Sequence, residues 1–242
     1  MKKLMFAAVA CAAMTGLAVE SKNIVGYAGY QLRDVGSTMS AAMFMDITSS
    51  DGSIKLGNIV PIKSNGEIAG WWEVEIQIPA YDGSTDPNAD YMWNGEGWEN
   101  GDFEPMDDVV IPVGQGLWVI NSTSSSVSFR SSGQVNENDA LFALREIGST
   151  AAANSFPTAI TLGDIVPMLA TGGVPGWWEV EIQIPAYDGS TDPNADYMWN
   201  GEGWENGDFE PMDDVDIPAG QGLWVINSTS AAVNLQIPAP EL

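Results

Sequence analysis

Two short loops carry the densest oxygen chemistry in this chain. Asp82-Gly-Ser-Thr-Asp-Pro-Asn-Ala-Asp90 sets Asp82, Ser84, Asp86, Asn88 and Asp90 at every second position, and Asp188, Ser190, Asp192, Asn194 and Asp196 repeat the pattern. Calcium takes roughly six to eight oxygen ligands, and closely spaced Asp and Asn in a flexible loop can supply them. These ten residues are therefore candidate ligands for Ca2+, the one cofactor the sequence suggests. They do not make an EF-hand. Pro87 stands where that loop needs its turning Gly, Trp93 stands where it needs a closing Glu, and no flanking helices are evident. The competing reading is a solvated turn, because Asp, Asn, Ser, Gly and Pro are also the standard turn residues.

The tryptophans come next. All ten lie in two matching segments, five in each. Trp71, Trp93 and Trp98, with their counterparts Trp177, Trp199 and Trp204, are the candidate carbohydrate-binding residues. An exposed aromatic ring beside carboxylates and amides is a platform for stacking on a sugar. Trp72 and Trp118 are expected in the core. The competing reading for all of them is that a large ring caps a small apolar interior. Paired carboxylates near aromatics also satisfy the minimal demand of glycoside hydrolysis. Acids are so abundant here that pairs are uninformative, and none is marked as shielded and raised in pKa. No catalytic residue is expected.

Composition narrows the chemistry further. The chain has no His and one Cys, Cys11. That excludes Ser-His-Asp and Cys-His catalysis and removes the commonest zinc ligand. Met-Lys-Lys followed by the uncharged run Leu4 to Leu17 has the form of a secretory signal peptide. Residues 1–18 are assigned to it, with cleavage after Ala18, so an exported protein at the cell surface, outside the cell or in the periplasm is expected. The run is too short to span a bilayer comfortably. A lipidated Cys11 fits less well, since the usual upstream Leu is lacking. The formal net charge is −25, which repels nucleic acid and anionic membranes. Asn121-Ser-Thr and Asn227-Ser-Thr match the glycosylation acceptor pattern; here they read as polar strand ends.

The elements that must position these residues come in two copies. Gly70–Ser124 recurs as Gly176–Ser230, and across those 55 positions only Val110/Asp216 and Val113/Ala219 differ. Looser similarity continues upstream, where Tyr30–Thr38 matches Phe142–Thr150. Copy one is placed at 23–131 and copy two at 132–242, as two beads on a string. Trp72, Val74, Ile76 and Ile78 alternate with Glu73, Glu75 and Gln77, the pattern of a half-buried strand ended by Pro79. Tyr91–Trp93, then Asn94-Gly95, then Trp98 predicts a hairpin. Val109–Ile111 and Gly116–Ile120 predict two more strands; the second is apolar on both faces and so central in its sheet. Leu56–Val60 gives at most one helical or 3₁₀ turn. The expected fold class is all-β: two tandem antiparallel sandwich-like or small-barrel domains.

The start Glu20-Ser-Lys-Asn-Ile-Val-Gly-Tyr27, with Leu56-Gly-Asn-Ile, Tyr91-Met-Trp and Gly114-Gln-Gly-Leu-Trp-Val, resembles a group of exported proteins from the Verrucomicrobia–Lentisphaerae branch of bacteria. The resemblance implies secretion and β-rich architecture, and carries no activity or site residue. The function expected from the sequence is a non-catalytic adhesion, matrix or cell-surface component, calcium-stabilised through the Asp82 and Asp188 loops. Its expected partner is a polysaccharide or surface polymer, or another copy of itself. The alternative is a carbohydrate-binding module; a glycoside hydrolase is more distant.

Overall fold

A computed structural model describes residues 25–31, 36–41, 53–79, 88–185 and 194–239. Among these residues ten strands fall in each copy. In the first these are β1 (Val25–Gln31), β2 (Gly36–Ala41), β3 (Ile54–Lys55), β4 (Ile59–Lys63), β5 (Val74–Pro79), β6 (Asn88–Trp93), β7 (Trp98–Glu99), β8 (Val110–Ile111), β9 (Gly116–Asn121) and β10 (Val127–Gln134). The second repeats them as β11 (Ala140–Ala143), β12 (Gly148–Ala153), β13 (Ile160–Thr161), β14 (Val166–Leu169), β15 (Val180–Pro185), β16 (Asn194–Trp199), β17 (Trp204–Glu205), β18 (Asp216–Ile217), β19 (Gly222–Asn227) and β20 (Val233–Ile237). A 3₁₀ turn follows β3 at Leu56–Asn58 and β13 at Leu162–Asp164.

The architecture is all-β and antiparallel, and the sheets do not close into a barrel. Copy one has a five-stranded sheet in the order β2-β9-β5-β6-β7, a three-stranded sheet β1-β10-β4 and a β3-β8 ribbon. Copy two reproduces each order. The apolar-on-both-faces strand β9 lies between β2 and β5, with Leu117 and Val119 fully buried on one face and Trp118 and Ile120 half-buried on the other. Alternation in β5 buries Val74 and Ile76 while Glu75 and Gln77 face outward. Across the core, Ile59, Val127 and Phe129 of the smaller sheet meet Val74, Ile76, Leu117 and Val119 of the larger. Trp98 is fully buried between them: its indole N–H donates to the Ile59 carbonyl at 2.9 Å, and its ring meets Phe129 edge-on at 6.3 Å. Trp204 makes the same bond to Ile165 at 2.8 Å.

Two expectations about the joint are corrected. Strand β10 runs through the expected boundary at Ser131–Ser132 and ends at Gln134. Nor do the copies hang as separate beads. Ser40 bridges Gln221, and Gln115 bridges Ala152; by the repeat alignment these two bridges are the same contact made in both directions. Val113 of the first copy packs on the second core, and Ala219, its counterpart, packs on the first. Such reciprocity is the mark of a two-fold interface, here between halves of one chain. Glycine makes the approach feasible. A Cβ on Gly116 would lie 2.5 Å from the Ala152 carbonyl oxygen, and one on Gly222 would lie 2.5 Å from the Met39 Cβ. The Ala153 N–H donates to Gly114 across this junction at 2.9 Å, and Gln115 Nε2 donates to Ala151 at 3.2 Å.

Candidate functional site

Among the described residues, three exposed aromatic rings lie together in each copy. Trp71 is 60% exposed, Trp72 44% and Phe103 57%; Trp177, Trp178 and Phe209 match them. In copy one the Trp71–Trp72 centroids are 4.6 Å apart and the Trp72–Phe103 centroids 5.9 Å. In copy two the separations are 4.7 Å for Trp177–Trp178, 5.4 Å for Trp178–Phe209 and 6.2 Å for Trp177–Phe209. A straight column would hold its outer rings far wider than that. The rings overlap instead as offset tiles, with planes within 35° of one another. Ile68 and Val174 are also exposed, two residues before each Gly-Trp-Trp turn.

Two turns build the patch. In the first, the Glu73 N–H donates to the Gly70 carbonyl, while the Gly70 N–H donates to Glu73 Oε2 at 2.5 Å. Lys63 Nζ holds the same oxygen at 2.6 Å. That ammonium, with the Gly70 N–H, keeps the Glu73 carboxyl below its usual range against the opposing pull of burial. The Trp72 N–H donates to the Trp93 carbonyl at 2.7 Å, and buried Trp93 donates its indole N–H to Ala69 at 2.9 Å, anchoring the turn from below. In the second turn, the Phe103 N–H donates to the Asn100 carbonyl at 3.0 Å, and Asn100 Oδ1 accepts from Asp102 and Glu104, each at 3.0 Å.

The backbone bears the cost of exposing these rings. Among the described residues five non-glycines have positive φ, and four of them are Trp72 (59°), Phe103 (63°), Trp178 (63°) and Phe209 (64°). A bulky residue in the left-handed region costs about 1–3 kcal/mol and persists where the surroundings over-determine it, often at functional sites. Both copies hold the same two aromatic positions there.

The expectations for individual tryptophans need correction. Trp93 and Trp199 are 2% and 3% exposed, and Trp98 and Trp204 are fully buried, so none of the four offers a face to a sugar. Of the six candidate carbohydrate-binding residues, Trp71 and Trp177 lie at the surface. Trp72, expected in the core, is outside: strand β5 begins only at Val74, and the positive φ at Trp72 turns its ring away from the face that buries Val74 and Ile76. Trp118 is half-buried rather than enclosed. Phe103 and Phe209 were not anticipated. The available signal was a large aromatic inside the polar turn sequence Asn-Gly-Asp-Phe-Glu, where nothing requires one.

The calcium residues Asp82, Ser84, Asp86, Asp188, Ser190 and Asp192 lie outside the described residues. Asn88 and Asn194 open β6 and β16 opposite Pro79 and Pro185; Asp90 and Asp196 are exposed opposite Gln77 and Gln183. Among the described residues no group of three or more Cys, Asp or Glu is arranged to hold a metal. Acids between Glu96 and Asp108 act within the fold. Asp107 Oδ1 accepts the Trp98 N–H at 2.9 Å, and Glu99 Oε1 accepts from Asn94 Nδ2 at 2.5 Å. Asn121 is buried, and its Oδ1 accepts from the Thr123 N–H and hydroxyl, as suits a strand end rather than a glycosylation site. No protein-family model, curated protein or solved structure matches the chain.

Proposed function

We propose that this is an exported, non-catalytic glycan-binding protein that grips its ligand through two aromatic patches, Trp71-Trp72-Phe103 and Trp177-Trp178-Phe209. The observation that carries this reading is the repeated exposure of three tiled rings, two of them on left-handed backbone. Folding alone would favour turning these rings inward, as it does Trp98 and Trp204. Flat, exposed aromatic surface stacks on the C–H faces of sugar rings. Two patches on one chain let a polymer with repeated sugars be held at both, which raises avidity over a single contact.

This reading serves the adhesion or matrix role expected from the sequence and sets the polysaccharide as partner. Titration of the full chain with soluble polysaccharides, followed by tryptophan fluorescence, tests it. A spectral response is expected, weakened by Trp71→Ala and abolished when Trp177→Ala is added. Silence across a broad panel overturns it. Calcium ordering of the Asp82 and Asp188 loops is a separate proposal. Ligand that binds only the folded state raises the melting midpoint, so added Ca2+ is expected to raise it and chelator to reverse the rise. An unchanged midpoint removes calcium.

A further inference from the structure

The two patches share their rings but not their charges. The ionisable residues that directly flank the rings in sequence are Glu73, Asp102 and Glu104 in copy one, and Glu179, Asp208 and Glu210 in copy two; all six are carboxylates. The four acids beside the phenylalanines are exposed, and the two glutamates are partly so. The Glu73 and Glu179 carboxylates close the Gly-Trp-Trp turns that carry the tryptophans, and Glu104 and Glu210 accept from Asn100 and Asn206 in the turns that carry the phenylalanines. In copy one Lys63 sits on Glu73 at 2.6 Å. Its counterpart in β14 is Leu169, paired with Val233 as Lys63 is paired with Val127. Glu179 Oε2 accepts the Gly176 N–H at 2.6 Å, and among the described residues it has no cationic partner. Residues 132–242 contain one basic side chain, Arg145, exposed in the connection between β11 and β12 and without an ion pair among the described residues.

We propose that the patches recognise a glycan bearing protonated amines, a polymer of free amino sugars, and that the Trp177-Trp178-Phe209 patch binds it more tightly than its partner. This rests on the reading of the patches as sugar-stacking surfaces. The argument is charge complementarity. A neutral sugar can donate its hydroxyls to the carboxylates but gains no charge attraction from them, and an anionic one is repelled. An ammonium group gains twice: from the carboxylates, and from the π faces of Trp and Phe, which attract cations. The sugar ring that carries the ammonium supplies the flat C–H surface the tiles accept. In copy one Lys63 offsets part of the field; in copy two Leu169 leaves it intact.

Calorimetric titration of the full chain with glucosamine oligomers and with N-acetylglucosamine oligomers of equal length tests this. The two ligands share a backbone and differ in charge. At a pH where the amines are protonated, the amine form is expected to bind roughly tenfold more tightly, the scale of one well-placed cation–π contact, and the gap is expected to close as salt is raised. Glu179→Gln, which keeps an acceptor for Gly176, is expected to weaken amine binding more than Glu73→Gln does. Leu169→Lys is expected to weaken it as well. Equal binding of both oligomers overturns the amine proposal and leaves sugar stacking standing. Failure of the amine oligomer while neutral glycans still quench fluorescence does the same; failure of every glycan sinks both. Equal binding by a lysine peptide of matched charge, or amine binding that survives Trp71→Ala with Trp177→Ala, overturns the proposal in favour of charge attraction alone.

Discussion

Copy one and copy two are nearly identical where they carry the aromatic patch, yet the ground beneath that patch differs. Trp93 donates its indole N–H to the Ala69 carbonyl, while in copy two the equivalent position is Pro175 and the buried Trp199 Nε1 finds no partner among the described residues. Lys63 becomes Leu169, and its ion pair with Glu73 has no equivalent. Val113 becomes Ala219 at the junction, so the side chain reaching into the neighbouring core is larger in one direction than in the other. A duplicated segment therefore does not guarantee duplicated energetics. The strands packed against it come from less similar stretches of chain, and they set the hydrogen bonds and charges it meets.

The comparison is best strained first where the copies agree. Trp98→Ala and Trp204→Ala each empty a fully buried site and strand the carbonyl of Ile59 or Ile165. Each is expected to cost about 3–5 kcal/mol in urea unfolding. A cost in one copy well below that in the other breaks the equivalence of the two cores. Next is the junction. Gly116→Val and Gly222→Val force a branched side chain into contacts already at 2.5 Å for a bare Cβ. A loss of about 1–3 kcal/mol is expected, with a single calorimetric transition separating into two as the copies uncouple. A single transition retained in both variants counts against a tight junction.

Smaller effects sharpen the differences. Trp93→Phe gives up a buried hydrogen bond, whereas Trp199→Phe removes an unpaired donor. Destabilisation is expected to be greater for Trp93→Phe by about 1–2 kcal/mol, measured as paired midpoints and slopes in denaturant. The smallest effect is electrostatic. The Glu73 carboxyl is held below its ordinary value of 4.5 in the folded chain, mainly by its hydrogen bond from Lys63. Its stabilising contribution is complete above that value and disappears as pH falls through the lower folded one. Lys63→Met is expected to remove this part of the acid limb, a change under about 1 kcal/mol at a half-exposed pair. Leu169→Met is expected to leave the limb unchanged when stability is followed from pH 7 downward.

Strand identity was legible because period-two alternation has one physical meaning. Val74 and Ile76 fall inside and Glu75 and Gln77 outside once the segment joins a sheet. The run from Leu117 to Ile120, apolar on both faces, implied a central strand, and β9 has neighbours on both edges. The candidate site was only half legible. Trp71 reaches the surface, but Trp93 and Trp98 are enclosed although a tryptophan next to glycines and acids looks exposed along the chain. Their indoles are in fact drawn in by carbonyls of residues far away in sequence, Ala69 and Ile59. Trp72 failed in the opposite sense, since extrapolating the alternation one step too far ignores the turn that reverses its φ.

By itself the sequence determined the duplication, the all-β pattern, the absence of histidine and the concentration of negative charge, because each is a property of composition or of local period. Only the tertiary structure decided which rings reach water and whether the copies touch. Those outcomes depend on contacts between residues distant in the chain: a carbonyl that captures one indole, a turn hydrogen bond that holds another ring on left-handed backbone, and a glycine that lets two backbones meet. No local pattern encodes them, because each needs its partner already in place.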